Sequence, residues 1–332
     1  MRSILLALAF AFASAAVAET NDLLFIHHSV GDDWLYRGLD AALVAKTYID
    51  ERNDITYGTV LAPDTGRPAS LGGTPGDLTD MEHWILWFND YLGRVKGHGC
   101  ASGFNRIIMF KSCYPNSDVV SNGTEPGDPF SSDRTIANHQ AVYRHPSGPG
   151  NTYSSGGFTY RPLEDIFAAH PEILFIPVVS PPLCYGCTTD ANGHRARAFN
   201  NWLKNTWLPA YNAAHPTLRN VAVFDFFDVL AYPDNHASHP NRLRAEYGGS
   251  TGDSHPNTTG DAAAFGRRQL LHHRVVDGVR RAGPEGVLGD AHEIGIPRAG
   301  LPGVDTGRGH RRLQAVDGLQ PGARPDHEEA AV

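Results

Sequence analysis

A serine hydroxyl, an imidazole and a carboxylate can together cleave an acyl bond without a cofactor, and the chain offers a candidate for each. Ser29 stands in His27-His28-Ser29-Val30-Gly31-Asp32-Asp33, directly after the apolar run Leu23-Leu24-Phe25-Ile26. A hydroxyl between a strand and a helix sits beside main-chain N–H groups that stabilise a developing oxyanion. The same position suits a helix N-cap, with Asp32 or Asp33 sharing that work. The chain has 17 histidines, so placement rather than presence must single out the base. Gly252-Asp253-Ser254-His255-Pro256-Asn257 falls between the last strand-like run and the last helix-like run, where a doubly wound sheet brings it back over the first strand. Asp253 is near enough to orient His255 and to stabilise its cation. The alternative reading makes Asp253 and Asn257 turn and cap residues and His255 a surface histidine before a proline.

The elements that must position these residues alternate between short apolar runs and amphipathic stretches, the pattern of an α/β fold with a parallel sheet. Leu23-Leu24-Phe25-Ile26 predicts a buried strand, and Trp34, Leu35, Leu39, Leu43 and Val44 predict a helix over 33–47. Asp54–Val60 predicts a weaker second strand. After a Gly/Pro-rich loop from Pro63 to Asp77, Met81, Trp84, Ile85, Phe88 and Leu92 mark a helix over 79–96. A strong strand over 106–110 follows, then residues 114–160 with no sustained period, which read as a long loop or lobe over one end of the sheet. A short helix over 162–169, a fourth strand over 173–179, a helix over 194–213, a fifth strand over 221–225 and a helix over 258–281 complete the series. The Gly-, Pro- and Arg-rich stretch 283–332 has no period and predicts a poorly ordered tail.

Of the chain's 332 residues, 41% are hydrophobic and 19% charged, enough apolar material for a full core. The formal charge of −8 offers nothing to a phosphate backbone, so a nucleic-acid partner is not expected. Residues 1–18 show one Arg, an apolar run and Ala16-Val17-Ala18, which predicts a cleaved signal peptide and a secreted or periplasmic protein with no membrane span after cleavage. The folded domain is then 19–282. In that oxidising setting the four cysteines are expected to pair as Cys184 with Cys187 and Cys100 with Cys113. Cys184-Tyr185-Gly186-Cys187 also has the spacing of a redox motif or of half a zinc site, but no second such pair completes a four-thiolate cage.

Taken in order, these blocks resemble the SGNH, or GDSL-like, hydrolases over about residues 22–281. Ser29 and Gly31 after the first strand are similar to that family's nucleophile block, with His-His-Ser where the common form is Gly-Asp-Ser. Lys111-Ser112-Cys113-Tyr114-Pro115-Asn116-Ser117-Asp118 falls where the family carries a Gly-x-Asn-Asp turn. Asp253-Ser254-His255-Pro256-Asn257 ahead of Gly260 resembles its Asp-x-x-His-Pro element, shorter by one residue. The resemblance implies a three-layer, doubly wound, mostly parallel five-stranded sheet of flavodoxin-like type. It implies Ser29 as nucleophile, His255 as base, and Asp253, or a main-chain carbonyl in its place, as the orienting acceptor. The implied oxyanion hole comprises the Ser29 N–H, Asn116 and a glycine after the second strand, taken as Gly66 among Gly66, Gly72 and Gly73. Neither metal nor cofactor is implied, and the substrate is a small-molecule or polysaccharide ester.

Two rival readings stay open. His27, His28, His236, His239 and His255 include zinc-ligand types, although adjacent histidines on a strand point to opposite faces and no helical ligand pair is present. The departures in the first and last blocks also allow an exported carbohydrate-binding or interaction protein on the same fold. For the enzyme reading, Tyr114, Phe130, Tyr143, Tyr153 and Tyr160 in the long loop either stack on sugar rings, which points to an acetylated polysaccharide as substrate, or form the loop's own small core.

Overall fold

The computed structural model describes residues 22–266, apart from 47, 48, 50, 51, 65, 73 and 74. The leader expected over 1–18, the tail expected over 283–332 and the far part of the helix expected over 258–281 lie outside the described residues. The strands are β1 (Asp22–Ile26), β2 (Arg52–Ile55), β3 (Asn105–Lys111), β4 (Tyr153–Ser155), β5 (Phe158–Tyr160) and β6 (Leu174–Val178). The α-helices are α1 (Val30–Trp34), α2 (Asp40–Val44), α3 (His83–Asp90), α4 (Leu92–Gly97), α5 (Ile136–Tyr143), α6 (Leu163–Ala169), α7 (Asp190–Trp202), α8 (Leu208–Ala214), α9 (Phe226–Leu230) and α10 (Thr258–Gly266). None of the described helices is long and apolar enough to cross a membrane.

The continuous apolar runs become β1, β3 and β6 because each is covered on both faces. With β2 they form a parallel four-stranded sheet in the order β2-β1-β3-β6, flanked by helices. Leu24 and Ile26 share a face with Ile108, Phe110 and Phe175, through the pairs Leu24↔Ile108, Ile26↔Phe110 and Ile108↔Phe175. On this face Phe88 of α3 meets Phe110 at 4.8 Å, Phe167 of α6 at 5.5 Å and Phe175 at 5.7 Å between ring centroids. On the other face Phe25 meets Trp34 of α1, which stacks on Phe226 of α9 at 4.7 Å. β1 has β2 on one side and β3 on the other, so the strand order reverses above its carboxyl end, the place where open α/β sheets open a crevice.

Several expectations need correction. The fifth strand, expected over 221–225, is reduced to two parallel bridges on β6, Phe175↔Val221 and Val178↔Phe224. The ladder runs from Asn220 O through Phe175 and Ala222 and resumes at Phe224 N–H to Pro177 O and Val179 N–H to Phe224 O. The step between needs an N–H at Pro177, which proline lacks. Asp225 then turns the chain into α9 by accepting from Asp228 N–H at 2.9 Å. β2 starts and stops earlier than expected, ending at Ile55 in a turn through Tyr57 and Gly58, whose φ is +79°. The helix expected over 33–47 begins at Val30 and is broken by Gly38 at φ 129° into α1, a π turn and α2, leaving Val44 exposed. The helix expected over 79–96 is broken at Tyr91, where Asp64 accepts from Gly93 and Arg94 N–H and so starts α4 afresh.

The lobe 114–160 is more regular than expected. It holds α5, capped by Thr135 Oγ1 accepting from Asn138 N–H at 3.1 Å, and the antiparallel hairpin β4–β5. Gly156 and Gly157 close that hairpin with φ of +57° and +82°, values an Asn-Gly or Gly-Gly pair reaches without strain. Phe130, Tyr153 and Tyr160 pack edge to face there, at 6.3 and 5.1 Å from the Phe130 ring, as the lobe's own core.

Cys184 and Cys187 are bridged as expected, whereas Cys100 and Cys113 are not. Cys100 precedes β3 and Cys113 follows it, so the strand holds them about 20 Å apart, far beyond the ~7 Å between Cα atoms that a disulfide spans.

Two outcomes follow from this packing. Phe88→Ala is expected to lose about 3–5 kcal/mol of unfolding free energy in urea titration, since it empties the junction of three other rings; a loss below 1 kcal/mol contradicts the packing described. His139 of α5 is wholly buried, and burial, with Arg134 adding to it, pushes its pKa down from 6.5 to about 3. The unfolded chain therefore takes up a proton that the folded chain refuses, so stability is full above pH 6.5 and is lost as pH falls toward 3. His139→Phe is expected to flatten the dependence of stability on pH between 6 and 4 by about 1.4 kcal/mol per pH unit. An unchanged slope contradicts a neutral buried imidazole.

Candidate active site

The site is built on the way the chain leaves β1. His27 N–H still donates to Ile55 O of β2 at 3.1 Å, and its ring lies on Phe25 at 4.4 Å, in the core. Gly31, one turn into the helix, backs onto that ring: a β-carbon on Gly31 would fall 2.5 Å from His27 Cβ. The reversal between them is so tight that Ser29 takes φ 47° and ψ −104°. A residue with a side chain in this region costs about 1–3 kcal/mol and persists only where its surroundings over-determine it. Here Gly31 N–H binds His28 O at 2.9 Å and Asp33 N–H binds Ser29 O at 3.1 Å. The Ser29 side chain makes no N-cap bond to the helix; it points instead to His255.

His255 Nε2 and Ser29 Oγ are hydrogen-bonded. On the far side of the ring, Nδ1 lies 2.7 Å from Asp253 Oδ1, and the same oxygen accepts the His255 main-chain N–H at 2.9 Å. A carboxylate only accepts, so Nδ1 carries the proton and Nε2 is left as the acceptor facing the hydroxyl. The short Asp-x-His spacing therefore serves: the carboxylate closes an Asx turn over two residues and meets the ring from within it. Burial alone pushes the Asp253 carboxyl up, but the bonds from the His255 N–H and ring outweigh it and hold the group below the ordinary carboxylate range. Tyr114 packs its ring on His255 at 5.2 Å, nearly perpendicular.

The loop bearing this pair is tied to the helix that follows Ser29. Arg37 donates to Pro256 O at 2.7 Å and to Asp261 Oδ2 at 2.8 Å, and pairs with Asp33 at 3.3 Å. Asn257 caps α10, its side-chain oxygen accepting from Thr259 N–H at 2.9 Å and Gly260 N–H at 3.1 Å. An open cleft of about 480 Å³ borders this loop between Asp33, Arg37, Thr251, Asp253 and His255.

The residues expected to hold an oxyanion are placed differently from one another. Asn116 is buried in the turn after β3, where its Nδ2 donates to Asp80 Oδ1 at 2.5 Å and its Oδ1 accepts Met81 N–H at 2.8 Å. One amide hydrogen of Asn116 remains uncommitted by these two bonds. Gly66 is held elsewhere. Its neighbour Arg67 binds Asp90 at 2.7 Å, at the end of α3 opposite Met81, and the eight residues of α3 span about 12 Å. Two residues given no role in the serine reading stand by Ser29 instead. Tyr57, in the turn after β2, is hydrogen-bonded to His28 Nδ1 at 2.9 Å. Its phenol is pushed up to about 12 chiefly by burial, with a hydrogen bond to Ser29 acting the other way. Burial, then the charge of Lys111, lowers His28 to about 4, so its ring is neutral. The signal that could have located Tyr57 is the Tyr-Gly pair itself, had the second strand been ended at Ile55.

The five histidines weighed as zinc ligands do not converge. His27 is buried and lowered to about 3 by burial first, so its approach to Asp32 at 3.3 Å and Asp54 at 3.8 Å is that of a neutral ring. His236 and His239 stack on Tyr232 and Tyr185, at 3.9 and 3.6 Å. Among the described residues, Asp80, Glu82 and His83 bring ligand-type atoms within 4.8 Å of one another. Their lone pairs are partly engaged: His83 Nδ1 accepts Asp80 N–H at 3.1 Å, which leaves the ring proton on Nε2, and Asp80 Oδ1 accepts from Asn116. The set thus reads as a hydrogen-bonded entry to α3. No protein-family model, no curated protein and no solved structure matches the chain.

Proposed function

We propose that the protein is an exported serine esterase of SGNH type, hydrolysing a carboxylic ester through an acyl-enzyme on Ser29. The observation that carries this reading is the relay Ser29–His255–Asp253, assembled from opposite ends of the chain on a nucleophile in left-handed backbone. A serine that merely capped α1 has no need of an imidazole acceptor or of that backbone. The sheet order and the near-strand at 221–224 are compatible with the five-stranded, flavodoxin-like layering of the SGNH hydrolases.

Attack by Ser29 Oγ on the ester carbonyl sends its proton to His255 Nε2. The imidazolium is stabilised by Asp253, whose depressed pKa keeps it ionised at neutral pH. The charge that develops on the carbonyl oxygen is met by the Ser29 N–H and the uncommitted amide hydrogen of Asn116. His255 then protonates the departing alkoxide, and the alcohol leaves an acyl group on Ser29. Water repeats the attack with His255 again as base, and the acid is released. The Tyr57 hydroxyl, hydrogen-bonded to His28 Nδ1 at 2.9 Å, is a polar neighbour of the serine.

The test is hydrolysis of p-nitrophenyl acetate, and of an O-acetylated glycan, by the purified protein beside Ser29→Ala. The substitution is expected to lower kcat/KM on the order of 10⁴-fold or more, and a chelator to leave turnover unchanged. Turnover that survives Ser29→Ala and is lost with chelator overturns the serine reading. Asn116→Ala is expected to lower kcat about 10²-fold with little change in KM; a change in KM alone removes Asn116 from the oxyanion site.

A further inference from the structure

The loop closed by the Cys184–Cys187 disulfide rests directly on the segment that carries Asp253 and His255. Tyr185 N–H donates to Gly249 O at 2.9 Å, and Cys184 N–H donates to Ser254 Oγ at 3.1 Å. Cys187 Sγ lies 3.6 Å from Gly252 O. Ser254 is the residue between the orienting acid and the base, and its side chain is buried. His255 faces Ser29 and Asp253 faces the His255 ring, while the Ser254 hydroxyl faces the disulfide loop, so Ser254 ties the Asp-x-His turn to that loop. Cys184 is fully buried too, and without the serine oxygen its N–H would be left unsatisfied.

The disulfide loop is itself firmly seated. Leu243 N–H donates to Leu183 O at 2.8 Å. The buried guanidinium of Arg242 donates to Tyr185 O at 3.4 Å, to Thr188 O at 2.7 Å and to Asp190 at 3.0 Å. Apart from the disulfide, the turn at 184–187 is closed by one main-chain bond, Cys187 N–H to Cys184 O at 3.2 Å. The bridge therefore fixes the direction of the two N–H groups that meet residues 249–254.

Resting on the serine-esterase reading, we propose that Ser254 and the Cys184–Cys187 disulfide are positioning residues for the acid–base pair, and that reduction of the bridge by a dithiol uncouples His255 from Ser29. Cys187 is the half-exposed member. A thiolate of the dithiol attacks its sulfur, forms a mixed disulfide and expels Cys184 as a thiolate that takes up a proton. The second thiolate of the reagent attacks its own sulfur in that mixed disulfide and releases Cys187 likewise. Two electrons and two protons pass to the bridge, and the dithiol leaves as a disulfide.

The experiment uses the full chain, oxidised and after dithiothreitol, with alkylation and intact mass counting two further thiols after reduction. Hydrogen exchange of peptides covering 249–257 is expected to rise about tenfold on reduction, and equally in Ser254→Ala, while peptides covering 83–97 do not change. The kcat for p-nitrophenyl acetate is expected to fall tenfold to about a hundredfold with KM unchanged, and to return on re-oxidation. Unchanged exchange over 249–257 in protein whose bridge is shown by mass to be reduced overturns the proposal, whether or not the ester is turned over. Increased exchange in a protein whose oxidised form hydrolyses no ester sustains the positioning and overturns the esterase reading alone.

Discussion

The contact between Gly31 and the buried ring of His27 decides how the chain leaves the sheet. Since a β-carbon at Gly31 would fall 2.5 Å from His27 Cβ, no other residue lets the helix start so close to the strand end. Ser29, caught between the two, is turned into left-handed backbone, and its hydroxyl leaves the axis of the helix it would otherwise cap. The strain is tolerable because both ends are anchored. Phe25 and Ile26 are buried in the sheet, and Trp34 is clamped by Phe25, Phe224 and Phe226. A rigid first strand at the reversal of strand order thus becomes a mount for one oxygen atom.

The second half of the site arrives from far along the chain, and its precision depends on polar rather than apolar contacts. Arg37 reaches from the π turn after Ser29 to Pro256 O and Asp261, so the helix that follows the serine also holds the loop that follows the histidine. Asp261 is buried, and burial raises its pKa to about 6 against the opposing pull of Arg37. On its other flank the same loop is held by Ser254 and the disulfide loop. Such charge-assisted and buried bonds fix direction as well as distance, which a base in line with a hydroxyl requires.

The parts legible in the sequence are those where one local rule decides the outcome. Leu23–Ile26, Ile107–Phe110 and Ile173–Val179 read as strands because a parallel strand covered on both faces is apolar throughout. Ser29 could be picked out as a candidate because it stands between β1 and α1, and Asp253 with His255 because they lie in the loop that leads into α10. Other features depend on partners that no local window contains. α5 buries Ala137, His139, Ala141, Val142 and Tyr143 around most of its circumference, so it shows no amphipathic period. Pro177 is plain to read, yet the broken ladder it causes belongs to a strand more than forty positions away. The seven-residue length of β3, rather than any oxidising setting, keeps Cys100 from Cys113. Gly66 is one of three glycines after the second strand, with no local signal to choose among them; with the strand ending at Ile55, the turn after it places Tyr57 on His28 Nδ1.

The central claim is that Ser29 is an activated nucleophile, and covalent capture tests it without knowledge of the substrate. An alkyl fluorophosphonate incubated with the full chain, followed by intact mass and peptide mapping, is predicted to leave one stoichiometric adduct on the peptide containing Ser29. His255→Ala is predicted to slow that labelling by on the order of 10³-fold. A protein that stays unlabelled, or that carries its adduct on another residue with Ser29 intact, contradicts the account.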